Sequence, residues 1–526
     1  MILLKNLKFP LDTDFNNLIG ETAKILMINE KSITKTKLYK KSIDARDKDN
    51  IFFCCSVLID GNKPAIIKHA KKYSPQDFFE KPIIWHKPKI LPKHRPIIIG
   101  FGPAGIFAAY TLAKAGLNPL VLERGKDCDS RKKDVEAFHK TGILNPDSNV
   151  QFGEGGAGTF SDGKLNSGIK SEYFRTVLKT FHMFGADEDI LYDAKPHIGT
   201  DVLINVIKNM RKEIIALGGE IRFCNKVTDI IIKNQQIASV EVVSPDKTYF
   251  EECDSLILAI GHSSRDTFEM LHRNNVNIEP KAFSIGARIE HPQTLINQGR
   301  FGKFCNNTAL GSADYKFAQH LENGRSVYTF CMCPGGYVIN ASSEPGCVVT
   351  NGMSYKRRDG KNANSALLVN ITPEDFYHGS VLDGVYFQQK IEKKAFVLSQ
   401  GKGICQTVGD FLNKTTFQKG ISPTISPSPV YGCLDDILPD YVTDSLRTGI
   451  KLFNDKLPGF SNPDAILTGP ETRSSSPIKI LRSTSFMSQI SGLYPCGEGA
   501  GYAGGIMSSA VDGIKVAQQI IKSLAN

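Results

Sequence analysis

Gly100, Gly102 and Gly105 stand at the positions of a G-x-G-x-x-G turn directly after the apolar run Ile97, Ile98 and Ile99. That spacing is suited to holding a pyrophosphate. Gly100 permits the tight turn, Gly102 lets the backbone approach a phosphate, and Gly105 lets helix and strand pack closely. Pro103 and Ala104 open a small-residue helical run that extends to Ala115. Its N-terminus would offer free N–H groups and the positive end of the helix dipole. Gly116 closes the helix, residues 119–122 read as the next strand, and Glu123 follows eighteen residues after Gly105, with Arg124 beside it. A carboxylate there can accept hydrogen bonds from a ribose diol. Strand, glycine turn, helix, second strand and acid together point to an ADP-containing dinucleotide rather than to a purely structural turn.

Two further segments fit the glycine spacing but not its context. Gly153, Gly155 and Gly158 follow a run too short for a strand and lead into 159–163 without a helix. Gly499, Gly501 and Gly504 do open a helix, but no strand and acid come after it. Neither makes a second nucleotide unit. Both are glycine-dense turns against which a flat or charged ligand can lie without side-chain interference. In the first, Gly155, Gly156, Gly158, Thr159, Asp162 and Gly163 are candidate cofactor contacts.

The chain resembles the glutathione-reductase-like flavoproteins at three points in the right order. The dinucleotide unit is the first. Residues 254–261, DSLILAIG, look like the strand-then-A-T-G crossover of that superfamily, with Ile260 in place of Thr and with Ala259 and Gly261 as cofactor neighbours. Residues 492–506 read as a strand, an acid in a glycine turn and the start of a helix running to about Leu524. They resemble the superfamily's second flavin motif, in which the acid binds the ribityl chain and the helix N-terminus faces the flavin ring. The resemblance implies FAD, with Gly497, Glu498, Gly504, Gly505 and Ile506 at its flavin half; Glu498 replaces the usual Asp. It also implies that Val227 lies where backbone groups hydrogen-bond adenine, although any strand valine would look the same.

More widely, the chain is similar to a bacterial FAD-dependent dehydrogenase family with an N-terminal domain, a split FAD domain and a family-specific cap. The matching stretches are 152–165, 261–266, 330–336 and 469–477. The fold implied is α/β: a Rossmann-like FAD-binding domain, split and with a β-meander, an inserted α+β cap, and a small N-terminal α+β domain of ferredoxin-like character. The chemistry implied is hydride transfer between flavin and a small organic substrate, with NAD(P)H as a transient donor because the single complete nucleotide unit is assigned to FAD. A reduced flavin or a ferredoxin is an equally compatible donor. The family leaves the substrate open.

These motifs need elements to hold them. Residues 201–217 have helical periodicity and stop at Gly218 and Gly219, while 220–232 and 237–243 alternate as strands around a turn at 233–236. Before the dinucleotide unit, 2–7 reads as a strand, 14–27 as a helix, and 38–45 and 51–58 as further strands. The expected division is 1–81 for this basic domain, 82–96 for a tether with Pro82, Pro88, Pro92 and Pro96, 97–266 and 476–526 for the two parts of the FAD domain, and 267–475 for the cap. Residues 1–95 hold 19 Lys plus Arg against 10 Asp plus Glu, so nearly all of the chain's net charge of +10 sits there. A basic domain can dock an acidic electron carrier or partner protein. The same charge supports a rival reading, a flavoprotein whose N-terminal domain recruits RNA or a protein and whose FAD serves a modification or a structural purpose. The basic residues are scattered and no aromatic stacking motif accompanies them, which argues against nucleic acid.

For catalysis the candidates are Lys164, Arg473 and His262. Lys164 can stabilise an anionic reduced flavin or bind a substrate carboxylate, or be a plain surface lysine. Arg473 can clamp an acidic substrate or pair structurally with an acid such as Glu471. His262 can donate a proton or simply cap the next helix beside Ser263 and Ser264. Cys331 and Cys333 alternate as in a strand, which places both sulfurs on one face; the spacing does not suit a redox dithiol. Twelve cysteines at irregular spacings, with no C-x-x-C, read as reduced thiols, and no zinc spacing occurs, so no metal is expected. Neither a signal peptide nor the roughly 18 uninterrupted apolar residues of a membrane span is legible. A cytoplasmic enzyme is the expectation.

Overall fold

The computed structural model describes residues 1–80, 82–415 and 420–525. The expected domain boundary at Lys81 and the final Asn526 lie outside them. The first unit runs β1 (Ile2–Phe9), α1 (Leu18–Leu26), β2 (Ile33–Asp44), β3 (Phe52–Gly61), α2 (Lys63–His69) and β4 (Gln76–Asp77). The sheet order is β2-β3-β1-β4, with every neighbouring pair antiparallel. This β-α-β-β-α-β order is the ferredoxin-like split βαβ arrangement. Alternating side chains such as Leu4, Phe9, Val57 and Ile59 meet Leu18, Ala23 and Leu26 of α1 in one core. The helix is shorter than its periodicity predicts. Asp14 caps a single 3₁₀ turn, Asn17 then caps α1 itself, and Met27 ends it in the left-handed region at φ 54°.

The tether that follows lies along the molecule. The His86 N–H donates to Gln518 Oε1 at 3.0 Å, the Lys89 and Ile90 N–H groups donate to the Leu524 carbonyl, and the Trp85 ring lies 5.9 Å from that of Tyr173.

The nucleotide-binding unit begins with β5 (Ile97–Ile99), α3 (Pro103–Lys114), β6 (Leu120–Leu122), α4 (Cys128–Thr141), α5 (Phe174–Met183), α6 (Thr200–Ala216) and β7 (Glu220–Arg222). It continues through the antiparallel meander β8 (Lys226–Lys233), β9 (Gln236–Val243) and β10 (Thr248–Glu252), then β11 (Leu256–Leu258) and α7 (Arg265–Arg273). The single strand expected over 220–232 is two strands. Cys224 adopts φ 56°, the Asn225 N–H binds the Glu123 carbonyl, and the chain leaves the parallel sheet there to start the meander.

After β12 (Ile278–Pro280), residues 283–471 form a seven-stranded sheet and its helices. They comprise β13 (Phe283–Pro292), α8 (Gln293–Phe301), β14 (Ala318–His320), β15 (Ser326–Cys333), β16 (Tyr337–Asn340), β17 (Thr350–Met353), β18 (Asn362–Ile371), α9 (Pro373–Phe376), α10 (Asp383–Ser399), β19 (Ile404–Thr407), α11 (Val408–Asn413), β20 (Val430–Tyr431), α12 (Asp440–Lys456) and β21 (Ile466–Glu471). The sheet order is β14-β15-β18-β13-β21-β19-β20, while β16 and β17 pair separately. Central strands β13 and β18 are buried along almost their whole length, as strands covered on both faces must be.

The chain then returns through β22 (Ile478–Ile480), paired with β12, to β23 (Leu493–Pro495) and α13 (Ile506–Ser523). The five-stranded sheet closes as β23-β11-β5-β6-β7, all parallel. Met507, Ala510, Val511 and Ile514 of α13 share a core with Ala104, Ala108 and Leu112 of α3.

A candidate dinucleotide-binding cleft

A cleft of about 610 Å³ opens between the C-terminal ends of the parallel strands and the seven-stranded sheet. Its size falls in the range of ligand sites, and the carboxyl edge of a parallel sheet is where such sites form. Most of the residues singled out from the sequence line it: Gly100, Gly102, Pro103, Ala104, Glu123, Arg124, Gly156, Gly158, Asp162, Gly163, Lys164, Val227, Ala259, Gly261, His262, Arg473, Glu498, Gly504, Gly505 and Ile506. Four do not. Gly105, Gly155, Thr159 and Gly497 lie behind the wall and shape it.

Gly105 shows why. A Cβ there would lie 2.0 Å from the Gly100 carbonyl oxygen, so the residue sets how closely α3 approaches its own turn. Gly155 gives its N–H to Phe101, and the Thr159 hydroxyl donates to the Glu154 carbonyl at 3.1 Å. The Gly497 N–H donates to Asp512 Oδ2 at 2.8 Å, and Arg482 holds the same carboxylate at 2.7 and 2.8 Å. Gly102 is different. A Cβ on it would meet only the Gly156 Cα, at 3.7 Å, so its other side is open cleft.

Glu123 is buried and accepts three backbone N–H groups, from Phe101 at 2.8 Å and from Gly125 and Gly153 at 2.9 Å each. It thereby ties the phosphate turn to the glycine loop. Arg124 forks onto Asp266 and stacks on Phe152, 4.4 Å from the ring centroid. The glycine loop itself winds into a 3₁₀ turn, Gly156–Phe160. Arg131, unremarkable in the sequence, organises it: fully buried, it donates to the carbonyls of Asn149, Val150, Glu154 and Gly156 at 2.7–2.9 Å. Nothing in a lone arginine on an otherwise polar helix could have signalled this.

Asp162 anchors the end of the loop. It is bound by Ser354 and Arg358, and Lys164 lies 3.5 Å away. Burial opposes its charge, but Lys164 and Arg358 outweigh that and hold the carboxyl well below the usual range. Burial likewise works against the Lys164 ammonium, while Asp162 moves its pKa above the ordinary value. Lys164 also donates to the Met332 carbonyl.

His262 lines the cleft with Nδ1 3.0 Å from the Ser263 hydroxyl. Burial, reinforced by Arg473 and Arg265, lowers its pKa to about 3. That favours the neutral imidazole at physiological pH. Arg473 pairs with an acid other than the expected Glu471. Its Nε donates to Glu392 Oε1 at 3.1 Å and its Nη2 to Glu392 Oε2 at 2.8 Å, while Ser343 and Glu344 take its other bonds. Arg265 binds the same Glu392 through two 2.8 Å bonds. Glu471 instead forks onto the buried Arg288, with two bonds of 2.7 Å.

Glu498 carries the opposite perturbation. Burial raises its pKa to about 7, against the pull of the Gly505 N–H and the Lys281 charge. The expectation that Cys331 and Cys333 share a face fails. The β15–β18 register shifts between Phe330 and Cys333, Cys331 turns left-handed at φ 41°, and it is exposed at the cleft while Cys333 is buried.

Among the described residues no group of three or more His, Cys, Asp and Glu is placed to hold a metal ion, and no helix is long and apolar enough to cross a membrane. The donor set suits a dinucleotide. Gly261, Gly504 and Gly505 have nothing within 4 Å of where a Cβ would be, and the N-termini of α3 and α13 border the same space.

Comparison with known proteins agrees. Residues 282–474 match a family described as FAD-dependent protein, C-terminal domain-like, and residues 1–60 match a domain of unknown function. A protein of Clostridium beijerinckii, described only as uncharacterized, is 47% identical over 530 residues, covering 99% of this chain and 98% of its own. Solved structures superpose more loosely. The L-proline dehydrogenase of P. horikoshii is 12% identical, covers 82% of this chain and 95% of its own, and has a TM-score of 0.36. A triple mutant of the flavin-dependent brominase Bmp2 is 11% identical over 82% of this chain and 79% of its own, at 0.37. The FAD-complexed glycerol-3-phosphate dehydrogenase of Bacillus halodurans is 11% identical over 82% and 64%, at 0.34. These scores are too low to carry function from one chain to another.

Proposed function

The chain belongs to a FAD-dependent protein family, whose C-terminal domain its residues 282–474 match, and from that premise we propose that it is an oxidoreductase that moves hydride between flavin and a small organic substrate. One observation carries the reading: a single cleft runs from Glu123 and Val227, past the helix N-termini, to a wall built by the seven-stranded sheet. FAD bound there supplies the hydride-accepting and hydride-donating ring.

The chain's own residues then have separable tasks. Backbone N–H groups at the start of α3 take the diphosphate, and Glu123 has lone pairs left for a ribose hydroxyl after its three backbone bonds. Glu498, whose pKa burial raises to about 7, can in its protonated form donate a hydrogen bond to the ribityl chain as well as accept one. Lys164 holds a fixed positive charge beside the cap wall. His262, favoured in its neutral form, offers a hydrogen-bonding ring nitrogen to the same space. The cap of residues 267–475 encloses the reacting space from water. NAD(P)H, as electron donor, would reach the flavin transiently through the same opening, and the basic N-terminal unit is the place for an acidic electron carrier.

Anaerobic mixing of the purified yellow protein with NADH or NADPH tests the reading. Bleaching of the flavin absorbance, followed by its return on adding an acceptor, is the expected result. A protein that neither carries nor takes up FAD would end the proposal.

A further inference from the structure

The cap end of the cleft presents hydrogen-bond donors with valences that no acceptor among the described residues fills. Three of them gather around one stretch of β15. Lys164 reaches it through the Met332 carbonyl. Asn351 reaches it through Arg288, whose guanidinium binds both the Cys331 carbonyl at 3.1 Å and Asn351 Oδ1 at 3.3 Å. Lys316 is held there because its neighbour Phe317 pairs with Thr329 in both directions. All three residues line the cleft.

Their free valences are of one kind. Asn351 Oδ1 also accepts the Gly352 N–H at 2.8 Å, so the amide is fixed with its oxygen inward and its NH₂ without a protein partner among the described residues. Lys316 is exposed and has no ion-pair partner among them. An ammonium has three donors, and Lys164 spends one on Met332 and shares its charge with Asp162.

The acids of this end are already engaged. Both Glu471 oxygens are taken by Arg288, both Asp162 oxygens by Arg358 and Ser354, and Asp314 holds Lys195 at 2.7 and 2.8 Å. Arg473 is likewise spent on Glu392. A cationic substrate would meet carboxylates that are each already paired with a protein cation. The pyrophosphate cannot account for these donors, since its turn belongs to α3 on the opposite sheet.

Resting on the oxidoreductase reading above, we infer that the substrate is a small organic carboxylate, held at the cap end of the cleft by the Asn351 amide, Lys164 and Lys316. Phe330, half-exposed beside them, offers its organic part an apolar surface.

The test uses the holoprotein at constant ionic strength. Acetate, succinate and benzoate are each titrated against the matching amide, with perturbation of the flavin spectrum and heat of binding as readouts. At least one acid should bind saturably and on the order of tenfold more tightly than its amide. Asn351→Asp keeps the oxygen that Arg288 needs but replaces the donor with a like charge, and Lys316→Met removes an exposed cation; each should weaken that acid about tenfold or more. Lys303→Ala removes the same charge from an exposed pair with Asp49 and should change nothing. FAD content and melting temperature establish that each variant is folded.

Equal binding of acids and amides, indifference of the acid to both cleft substitutions, or no response to any acid would overturn the inference while a yellow protein leaves the flavin reading standing. A colourless protein would end the flavin reading, and calorimetry would still report whether the acids bind.

Discussion

At Gly102 and Gly105 one substitution has two different costs. Gly105→Val drives a Cβ against the Gly100 carbonyl, a backbone atom that cannot yield, so fold and cofactor should be lost together. Gly102 has an ordinary φ of −81° and open space beyond Gly156, so Gly102→Val should melt close to cofactor-free wild type and still be colourless. Paired melts and flavin absorbance separate the two outcomes. Glu123→Ala is harsher than a lost ribose contact suggests. It orphans the N–H groups of Phe101, Gly125 and Gly153, each worth about 1–3 kcal/mol when buried and unpaired, so melting temperature should fall even without FAD. Glu498 gives a pH signature. An unfolded glutamate titrates near 4.5 and Glu498 in the fold near 7, so between these values the folded state keeps a proton that the unfolded chain releases. Its effect on stability is neutral below 4.5, grows steadily more unfavourable between 4.5 and 7, and is constant above 7. Melts of cofactor-free Glu498→Gln should match wild type near pH 4.5 and exceed it at pH 8. The glycines and Glu123 were legible because each stands at a fixed offset in a local motif. Glu498's perturbation was not, since burial and Lys281 come from distant parts of the chain.

Among the elements, α7, α10 and the end of β21 meet at one carboxylate. Glu392 of α10 takes both Arg265 of α7 and Arg473, and Thr472 adds its hydroxyl. Removing one partner from such a buried group leaves uncompensated charge and typically costs about 3–5 kcal/mol. Glu392→Ala should therefore lower the denaturation midpoint by that order, whereas Arg473→Lys, which keeps a charge, should lose less. Periodicity could place helices and strands because core-facing positions repeat within each element. It could not foresee this junction, whose acid lies 127 residues from one arginine and 81 from the other. Nor could alternation reveal the bulge that turns Cys331 away from Cys333, since pairing with β18 decides it. The break between β7 and β8 was hidden for the same reason: both halves alternate, and only their different sheets separate them.

For the molecule as a whole, the tether is a part of the packing rather than a loose string. Trp85 is the chain's one tryptophan, so its emission reports on the tether alone. Gln518→Leu removes the acceptor of the His86 N–H. Emission should then shift to the red and proteolytic cleavage within 82–96 should quicken, with flavin retained; unchanged emission would mean the contact does not hold the tether. The N-terminal unit has its own attachments, backbone bonds between Lys41 and both Tyr192 and Ala194, and the Lys303–Asp49 pair. Its topology was largely readable from local alternation, whereas its docking was not. The return of β23 and α13 to the parallel sheet has a consequence for how the protein is made. On a ribosome that has translated as far as residue 490, β5, β6, β7 and β11 already exist, yet the face of α3 that carries Ala104, Ala108 and Leu112 has no cover. Glu498 and the second helix N-terminus have not yet been made. The flavin half of the cleft is therefore completed only when that helix emerges, and until then the nascent chain exposes an apolar face that holding chaperones or proteases can recognise.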